Sequence, residues 1–593
     1  MRKRMAPRLQ VENRSVIRRQ RLTPFTLLIL LVVASACGGP TPRETTLARG
    51  VVSAPEAQAA EVGAAILRQG GNAVDAAVAV QFALCVTNGF GAGLGGGGFM
   101  LVHDPAAGDG SVATLDYREK APAAATRDMF LDENGEVIQN MGLYTPLASG
   151  VPGTVRGMAA AWERYGSLPW SRLLEPAVRL ARVGFVLDSW TADSLKKSSD
   201  KFAALPAPLL RHVEFDDYYG GETGAVLQLP DLADTLERIA REGADEFYLG
   251  HTAELLVQEM ERNGGLITAA DLKAYQAVWR EPVETRYRGY RVVSMPPPSS
   301  GGIALAEFLN MAETFPLPLS HSAEQIHLFA EIAKRVFADR AEHMGDPDFH
   351  HNPVAQLTDK RYARERAAEV NRHERSDPAS IRAGEFPPNG AEGRDTTHFS
   401  IVDDHGMAVA NTTTLNTAYG SGLVVDGAGF LLNSQMDDFS AKPGVPNDYG
   451  VTGSEANEIA PGKRPLSSMT PTMVFEPAGA LLLVLGSPGG PSIISTVAQV
   501  IVHVVDGHQD LKAAVDLPRF HHQWPPSPEG EDLLLVESQP EYSLPGDVLA
   551  ELSRLGYTIR TRENLGDVQA VMIQDGVATG VFDRRRTGGV AYP

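Results

Sequence analysis

The sequence predicts a protein of the α+β class, in which sheets and helices form layers around one core. Residues from about 55 to 290 show a mainly helical pattern, and residues 395–415 show the pattern of a β-hairpin. Further along, strand patterns such as Ala480–Leu485 alternate with helix patterns such as Ser495–Val505. The 593 residues, 43% of them hydrophobic, contain no repeat or long linker that would divide the chain. We therefore expect a single composite domain.

Stop and start signals mark the helical part of the chain. The helix pattern at Ala253–Asn263 is stopped by two glycines, and residues 268–271 form a Thr-x-x-Asp capping box that begins the next helix. A capping box favours a helix start because its two side chains bond backbone N–H groups that have no partner inside the helix. The Pro- and Gly-rich segment 296–302 then interrupts the chain before another helical run from Ile303.

A polar segment separates this part from the predicted hairpin. Residues 375–395 are rich in charge, Pro, Gly and Asn, which is typical of a flexible surface loop. Alternation and β-branching then predict a strand at residues 395–402, a turn at 403–406 and a second strand at Met407–Leu415. Thr396 therefore begins a buried strand directly after a loop.

The N-terminus has the order of an export signal. Residues 1–36 carry eight basic side chains against one Glu, and the apolar run Phe25–Val33 precedes small residues and Cys37. The apolar run is too short to span a bilayer comfortably. Cys37 after small residues favours a bacterial lipoprotein, with Cys37 lipidated; simple secretion and an uncleaved anchor are the alternatives. We expect an exported, periplasmic protein that touches the membrane only through such an anchor.

Composition excludes several other functions. The formal net charge of -20 argues against binding to nucleic acid, which needs clustered Lys and Arg. The second cysteine, Cys85, lies in an apolar helical run and is expected to be a small buried side chain. Residues 350–351 and 521–522 are adjacent His pairs that point in different directions, and no metal-binding Cys or His motif occurs. We expect no metal site.

A glycine-rich segment occupies residues 89–98. Gly91, Gly93 and Gly96 formally match the G-x-G-x-x-G pattern of dinucleotide-binding proteins. That pattern must follow a strand and open a helix, whereas here a helical run precedes it and the strand-like run Phe99–His103 follows. We therefore interpret the segment as a close crossing of backbones near a functional site.

Several motifs, in the same order along the chain, resemble those of bacterial γ-glutamyltranspeptidases. After residue 395 they are TTHFSIVD at 396–403, TLNT at 414–417, NSQMDDFS at 433–440, KRPLSSM at 463–469 and GSPGG at 486–490. Before it they are GNAVDAA at 71–77, LDYRE at 115–119 and MPPPSSGG at 295–302. The resemblance spans residues 48 to 590, and so many motifs in register exclude a chance match.

The resemblance implies the four-layer αββα sandwich of N-terminal-nucleophile hydrolases. It also implies a precursor that cuts itself between Asp395 and Thr396 into a large subunit, residues 37–395, and a small catalytic subunit, residues 396–593, which stay together. The expected substrates are glutathione and other γ-glutamyl compounds as donors, with water or the amines of amino acids and peptides as acceptors. No metal or organic cofactor is implied.

The chemistry of an N-terminal threonine follows from the residue itself. A Thr hydroxyl needs a base, and the α-amino group of Thr396, with an ordinary pKa near ~8, becomes available only after the 395–396 bond breaks. We expect the Thr396 hydroxyl to attack the Asp395 carbonyl and water to hydrolyse the resulting ester. The same hydroxyl then attacks the γ-amide of a donor. The resemblance implies that Thr414 hydrogen-bonds the nucleophile and assists processing.

Positions that match the family motifs are expected to hold the donor. Its α-carboxylate suits the guanidinium fork of Arg118, and its α-ammonium suits the carboxylate of Asp438. The residues that complete these two sets are Ser467 and Ser468 for the carboxylate, and Asn416 and Gln435 for the ammonium.

Two further elements complete the expected site. Gly489 and Gly490 form a tight turn in which absent side chains let backbone N–H groups face a developing oxyanion. Residues 442–450 resemble the lid loop of some family members, with Tyr449 closing over the glutamyl group. A plain surface loop is the alternative for this segment.

Two other functions are weighed against this one. The first is a related acylase that removes glutaryl-type side chains, for instance from cephalosporins. Asp438 argues against it, because a substrate without an ammonium group leaves a buried charge unpaired. The second is an unprocessed lipoprotein that only binds γ-glutamyl peptides, which requires that Thr396 is never freed.

Overall fold

Two β-sheets face each other at the centre of the protein. The computed structural model describes residues 47–206, 215–384, 396–445, 447, 453–525 and 531–593, and the chain from Thr45 onward forms one compact unit. The strands in chain order are β1 Val51–Ala54, β2 Gly97–His103, β3 Val112–Asp116, β4 Phe185–Val186, β5 Val226–Leu227, β6 Val278–Arg280, β7 Val283–Tyr287, β8 Tyr290–Ser294, β9 Thr397–Val402, β10 Ala408–Thr414, β11 Thr472–Phe475, β12 Leu481–Gly486, β13 Phe520–His522, β14 Leu533–Glu537, β15 Thr558–Arg562, β16 Gln569–Gln574, β17 Val577–Phe582 and β18 Gly589–Ala591.

Helices surround these strands. In chain order they are α1 Ala57–Arg68, α2 Ala73–Thr87, α3 Thr154–Tyr165, α4 Trp170–Val183, α5 Ser189–Ala203, α6 Phe215–Tyr218, α7 Pro230–Glu242, α8 Asp245–Leu249, α9 His251–Asn263, α10 Ala269–Ala274, α11 Gly301–Ala312, α12 Ala323–His343, α13 Val354–Leu357, α14 Lys360–Ala368, α15 Ser492–Val505, α16 Leu511–Asp516 and α17 Gly546–Arg554.

The two central sheets have the strand orders β18-β1-β9-β10-β2-β3-β6 and β17-β16-β12-β11-β8-β7. Neighbouring strands in both are antiparallel. Between the sheets, β9 and β10 lie against β12, while α1 and α2 cover the first sheet and α11 and α15 cover the second. This arrangement confirms the expected four-layer αββα sandwich.

The side chains of β9 show which way each face of the first sheet points. Phe399 and Ile401 belong to the hydrophobic cluster under α1 and α2. His398 and Ser400 point the other way, because Ser400 Oγ donates to the carbonyl of Gln569 in β16 at 3.0 Å. Successive side chains of a strand alternate between faces. The side chain of Thr396, two residues before His398, is therefore on the face between the sheets.

Strands from both sides of residue 395 are interleaved in the two sheets. The early strand β1 pairs with β9 on one side and β18 on the other, and β8 pairs with β11. A cut between residues 395 and 396 leaves these backbone ladders intact, so two chains made in this way would share both sheets. The subunit boundaries themselves stay a prediction, and Asp395, Tyr449, Cys37 and the export signal at 1–36 lie outside the described residues.

Most locally encoded elements agree with the sequence prediction. The helix predicted at residues 253–263 is α9, which ends at Gly264 with φ 77°, and the predicted capping box forms at Thr268 and Asp271. The predicted hairpin is β9 and β10. Short strands such as β3 were not predicted, because β3 is buried on both faces and shows little alternation of apolar and polar residues.

Two smaller expectations concern burial and the membrane. Cys85 is a free, buried cysteine in α2, as expected, and burial raises the pKa of its thiol to about 12. In the part of the chain that the structure describes, none of the helices has the length and apolar character to span a bilayer.

Candidate active site

Thr396 lies directly before β9, and only 2% of it is exposed. The ladder between β9 and β10 pairs Thr397 with Thr413. Continued by one residue, this register places Thr396 opposite Thr414. Opposed residues of an antiparallel pair have Cβ atoms about 5 Å apart on the same face. The structure therefore brings together the expected nucleophile and the residue expected to assist it.

The glycine-rich segment 89–98 crosses this strand pair at very close range. A Cβ atom on Gly91 would lie 3.3 Å from the carbonyl carbon of Thr396, and one on Gly96 would lie 2.1 Å from the carbonyl oxygen of Thr414. Only residues without a side chain allow backbones to approach so closely. The structure thus confirms a close backbone crossing beside the site.

The chain turns sharply after Thr414. Asn416 has φ 77°, in the left-handed region, and its N–H donates to Thr414 Oγ1 at 2.9 Å. The Asn416 side-chain amide donates to the carbonyl of Ser434 at 2.7 Å. These bonds place the Asn416 side chain beside the segment that carries Gln435 and Asp438.

Asn433 holds that segment in place. Its Nδ2 donates to the carbonyls of Gly95 and Gly150, each at 2.7 Å, and its Oδ1 accepts from the N–H groups of Gly150 and Gln435, each at 2.9 Å. Beyond it, Gln435–Asp438 form one 3-10 turn. The role of Asn433 was not predicted from the sequence, although this residue opens one of the family-like motifs.

The two residues expected to hold opposite charges of a donor form an ion pair with each other. Arg118 Nη2 donates to Asp438 Oδ2, and both side chains are almost completely buried. Arg118 also donates to the carbonyls of Pro465 and Leu466, each at 3.2 Å. The site therefore contains a buried positive and a buried negative group side by side, although 320 positions separate them in the chain.

A second buried cluster, which was not predicted from the sequence, fixes the backbone of Arg118. Asp116 accepts from the N–H of Arg118 at 2.9 Å and from Arg464 at 3.1 Å. Arg464 and the Tyr275 hydroxyl both donate to the carbonyl of Arg118, each at 2.7 Å. No local pattern reveals this cluster, because its members come from distant parts of the chain.

Ser467 and Ser468 lie beside Leu466 and are supported by residues on two other elements. The hydroxyl of Ser300, at the start of α11, donates to the carbonyl of Ser467 at 2.7 Å. Arg340 of α12 donates to Ser468 Oγ at 2.8 Å, and the N–H of Met469 donates to Ser467 Oγ at 3.1 Å. Since both hydroxyl oxygens accept these bonds, each hydroxyl keeps its own hydrogen to donate.

Three buried side chains around the ion pair have oxygen atoms with no hydrogen-bond partner among the described residues. They are Oδ1 of Asn416, Oε1 of Gln435 and both carboxyl oxygens of Glu119. Arg118 Nη1 lies 3.5 Å from Glu119. Buried polar atoms nearly always have a partner in folded proteins. These oxygens are therefore free to accept hydrogen bonds from a ligand.

Glu119 titrates in an unusual range. Burial raises the pKa of its carboxyl group to about 7, despite the opposing effect of Arg118, and Asp438 raises it further. Between pH 4.5, its ordinary pKa, and pH 7, the folded protein holds a proton that the unfolded chain releases. Stability therefore falls across this range as pH rises, by up to about 3 kcal/mol from this group.

The variant Glu119→Gln tests this titration. It stays neutral at every pH, so we expect it to match the wild type near pH 4.5 and to be more stable above pH 7. The measurement is the difference in denaturation midpoint between the two proteins from pH 4.5 to 8. A difference that does not change with pH would contradict the raised pKa.

His398 is not suited to be a base for Thr396, despite its proximity. Its ring contacts the Thr412 hydroxyl at 2.8 Å and the Ser400 hydroxyl at 3.1 Å. Burial lowers the pKa of the ring to about 3, so the ring is neutral at pH 7 and occupied by structural hydrogen bonds.

The expected oxyanion turn follows β12 directly. A Cβ on Gly486 would lie 2.4 Å from the His398 ring, so the end of β12 packs beside the start of β9. Gly489 has φ 131° and Gly490 has φ 62°, conformations that strongly favour glycine. Within the described residues, neither of their N–H groups has a hydrogen-bond acceptor. Both donors are therefore available to a ligand.

The segment expected to be a lid is described only in part. Lys442 Nζ lies 2.9 Å from Glu136 Oε1, which links the segment to the 130–138 region. A cavity of about 390 Å³ lies between these two parts of the chain, with Phe439 and Val445 among its lining residues. The contribution of Tyr449 to closure stays a prediction.

Most of the chain is similar to known proteins in sequence. A family model described as gamma-glutamyltranspeptidase matches residues 59–592. The chain is 48% identical to the glutathione hydrolase proenzyme of Pseudomonas aeruginosa, over 94% of this chain and 97% of that protein. It is 45% identical to the glutathione hydrolase proenzyme of Escherichia coli K12, over 91% of this chain and 90% of that protein.

Solved structures share the fold. The cephalosporin acylase of Bacillus halodurans matches with a TM-score of 0.79 and 26% identity, over 94% of this chain and 98% of that chain. The γ-glutamyltranspeptidase of Pseudomonas nitroreducens, complexed with L-DON, matches with a TM-score of 0.52 and 46% identity, over 56% of this chain and 97% of that chain. Because these two proteins carry different names, fold likeness alone does not decide the substrate.

Proposed function

The chain belongs to the γ-glutamyltranspeptidase family, and from this premise we propose that it acts through a γ-glutamyl ester on Thr396. It is an enzyme that takes the γ-glutamyl group from glutathione and related compounds, and its proenzyme is processed into two subunits. The cut between Asp395 and Thr396 and the roles of the individual side chains are our proposal.

One observation carries the assignment of donor binding: the buried ion pair of Arg118 and Asp438 lies among acceptor oxygens that lack partners. The amino-acid end of a γ-glutamyl group carries a carboxylate and an ammonium with three N–H donors. On binding, the donor's carboxylate pairs with Arg118 and its ammonium pairs with Asp438. The exchange replaces one buried ion pair by two, so neither protein charge is left unpaired.

The neighbouring side chains complete both contacts. The ammonium also meets the free amide oxygens of Asn416 and Gln435. The carboxylate receives the hydroxyl hydrogens of Ser467 and Ser468, whose oxygens already accept bonds from the protein. Donors and acceptors then match on both charged groups, which selects a free α-amino acid end.

In turnover, the Thr396 hydroxyl attacks the γ-carbonyl carbon of the bound donor. The α-amino group of Thr396 takes the hydroxyl proton and passes it to the leaving amine. The N–H groups of Gly489 and Gly490 stabilise the oxyanion, an effect typically worth ~2.7 to 4 kcal/mol per donor. Water, or the amine of an amino acid or peptide, then attacks the ester and releases Thr396.

Processing uses the same hydroxyl before the amino group exists. It attacks the carbonyl of Asp395, the nitrogen of Thr396 leaves that carbonyl, and water hydrolyses the ester. Thr414 assists from the opposite strand: its oxygen accepts from the N–H of Asn416, which leaves its hydroxyl hydrogen to bond Thr396. The placement of Thr396 beside Thr414, at the adjoining ends of β9 and β10, thus serves both processing and turnover.

The charges of the site favour a γ-glutamyl donor over a glutaryl one, although the fold is shared with a cephalosporin acylase. A glutaryl group has no ammonium. It would separate Arg118 from Asp438 without bringing a positive charge to the place of Arg118, and it has no donor for the free amide oxygens of Asn416 and Gln435. Leaving a buried charge unpaired typically costs about 3 to 5 kcal/mol.

Competition by small acids tests this assignment. We expect free glutamate to inhibit the hydrolysis of a γ-glutamyl anilide, and glutarate, which lacks the ammonium, to inhibit at least about 100-fold more weakly. 4-Aminobutyrate keeps an ammonium but lacks the α-carboxylate and is expected to bind weakly too. Equal inhibition by glutamate and glutarate would overturn the proposed role of Asp438.

We also propose that the protein is exported and lipidated at Cys37. The support is the order of basic, apolar and small residues before Cys37 in the sequence. Such an anchor would hold the enzyme at a membrane surface on the periplasmic side, where γ-glutamyl compounds and acceptor amines reach it from outside the cytoplasm.

A further inference from the structure

Two serine hydroxyls bind the carbonyl groups inside the turn that contains Gly489 and Gly490. Ser487 Oγ donates to the carbonyl of Pro488 at 2.7 Å, and Ser492 Oγ donates to the carbonyl of Gly489 at 2.5 Å. Ser487 is completely buried, and Ser492, the first residue of α15, is 6% exposed.

These bonds determine where two backbone N–H groups point. A trans peptide is planar, with its C=O and N–H on opposite sides. The carbonyl of Pro488 shares a peptide plane with the N–H of Gly489, and the carbonyl of Gly489 shares one with the N–H of Gly490. A hydroxyl that holds each carbonyl on one side of the turn therefore holds each N–H on the other side.

The glycines themselves do not restrict the turn. A residue without a side chain adopts many backbone conformations, so two consecutive glycines leave both peptide planes free to rotate. Their φ angles of 131° and 62° are not set by their own sterics. The two serine contacts supply the restraint that the glycines lack.

Ser487 is in turn held by a third part of the chain. Its Oγ accepts from the N–H of Asp567 at 2.9 Å. A Cβ on Gly566 would lie only 2.6 Å from Ser487 Oγ, and Gly566 has φ 88°. The turn before β16 thus closes around the Ser487 hydroxyl and leaves it little freedom.

We infer that Ser487 and Ser492 are positioning residues for the oxyanion hole. Neither needs to touch the substrate. Each orients one of the two N–H donors toward the developing oxyanion through the carbonyl of the same peptide unit. This inference rests on the proposed role of Gly489 and Gly490.

The test uses Ser487→Ala and Ser492→Ala in the full chain. With activity expressed per mole of cleaved protein, we expect kcat for a γ-glutamyl anilide to fall about 10- to 100-fold in each variant. The KM and the inhibition constant of free glutamate should stay within about 2-fold, because the donor's charged groups bind elsewhere. A boronic acid analogue that forms a tetrahedral adduct should bind more weakly by the same factor as kcat falls.

Ser495→Ala is the matched control. Ser495 is buried on the same helix, and its hydroxyl bonds the His521 ring at 2.8 Å, away from the turn. It should keep wild-type kcat. Wild-type kcat in either of the folded variants, Ser487→Ala or Ser492→Ala, would overturn the inference. The inference would also fail if kcat fell equally in Ser495→Ala. It would fail as well if a higher KM accounted for the lost activity of the two serine variants.

Two further outcomes have a different meaning. If Ser487→Ala does not fold, the more peripheral Ser492→Ala decides the question alone. If the wild type itself forms no ester on Thr396, as judged by intact mass after reaction with a γ-glutamyl donor, then the proposed function fails independently of the serine variants.

Discussion

Thr396→Ala will leave the chain uncut and lower γ-glutamyl hydrolysis by about 10⁴-fold or more. The variant lacks the hydroxyl that attacks the Asp395 carbonyl, so no amino group is freed at residue 396 and no ester can form. Nucleophile and base are lost together, because the amino group is freed only by the cut that the Thr396 hydroxyl makes. The measurement is the intact mass under denaturing conditions, followed by an assay with a γ-glutamyl anilide.

Thr397→Ala is the matched control for this experiment. It removes the same hydroxyl and methyl groups one residue further on, from the opposite face of the strand. We expect this variant to split into two chains, one of which begins at Thr396, and to hydrolyse the anilide within about 3-fold of the wild type. A wild-type chain that stays whole while folded, or a Thr396→Ala chain that is cut, would contradict self-cleavage by Thr396.

Asp438→Asn will lower kcat/KM for a γ-glutamyl anilide by about 10²- to 10³-fold. The amide cannot pair the donor's ammonium, and Arg118 loses its ion pair with Asp438. A glutaryl anilide has no ammonium, so the same change should cost it far less. The measurement is kcat/KM for both anilides in both proteins, and the ratio of the two values should move toward the glutaryl substrate.

Asp437→Asn controls for the loss of a carboxylate in the same turn. The Asp437 side chain faces Gly142, on the side of the turn that lines the cavity next to the lid segment. We expect its kcat/KM to stay within about 3-fold of the wild type. Mass and thermal midpoint show whether each variant is processed and folded. A similar loss on both anilides in Asp438→Asn would indicate a structural role for Asp438 rather than ammonium recognition.

The local patterns of the sequence were sufficient for much of the fold. The helix at 253–263, its capping neighbour at 268–271 and the hairpin that begins at Thr396 were all predicted within a few residues. Each is encoded by spacing, capping or β-branching within a dozen positions. The short strands β3 and β6 were not predicted, because segments of three to five residues are too short to show a period.

The four layers and the interleaved sheets could not be predicted from local sequence patterns. The resemblance to a family implied the layers, and the pairing of β1 with both β9 and β18 shows how they are built. Strand order depends on contacts between residues hundreds of positions apart. Periodicity within one segment does not report such contacts.

The sequence alone predicts which residues carry the chemistry: a threonine that begins a strand after a polar loop, a Gly-Gly turn, and the motifs that contain Arg118 and Asp438. The folded protein alone shows how these residues meet. It pairs Arg118 with Asp438, leaves the amide oxygens of Asn416 and Gln435 unsatisfied, and sets Ser487 against the carbonyl of Pro488. The reason is physical: burial and hydrogen bonding depend on distances in space, which the folded chain sets and the order of residues does not.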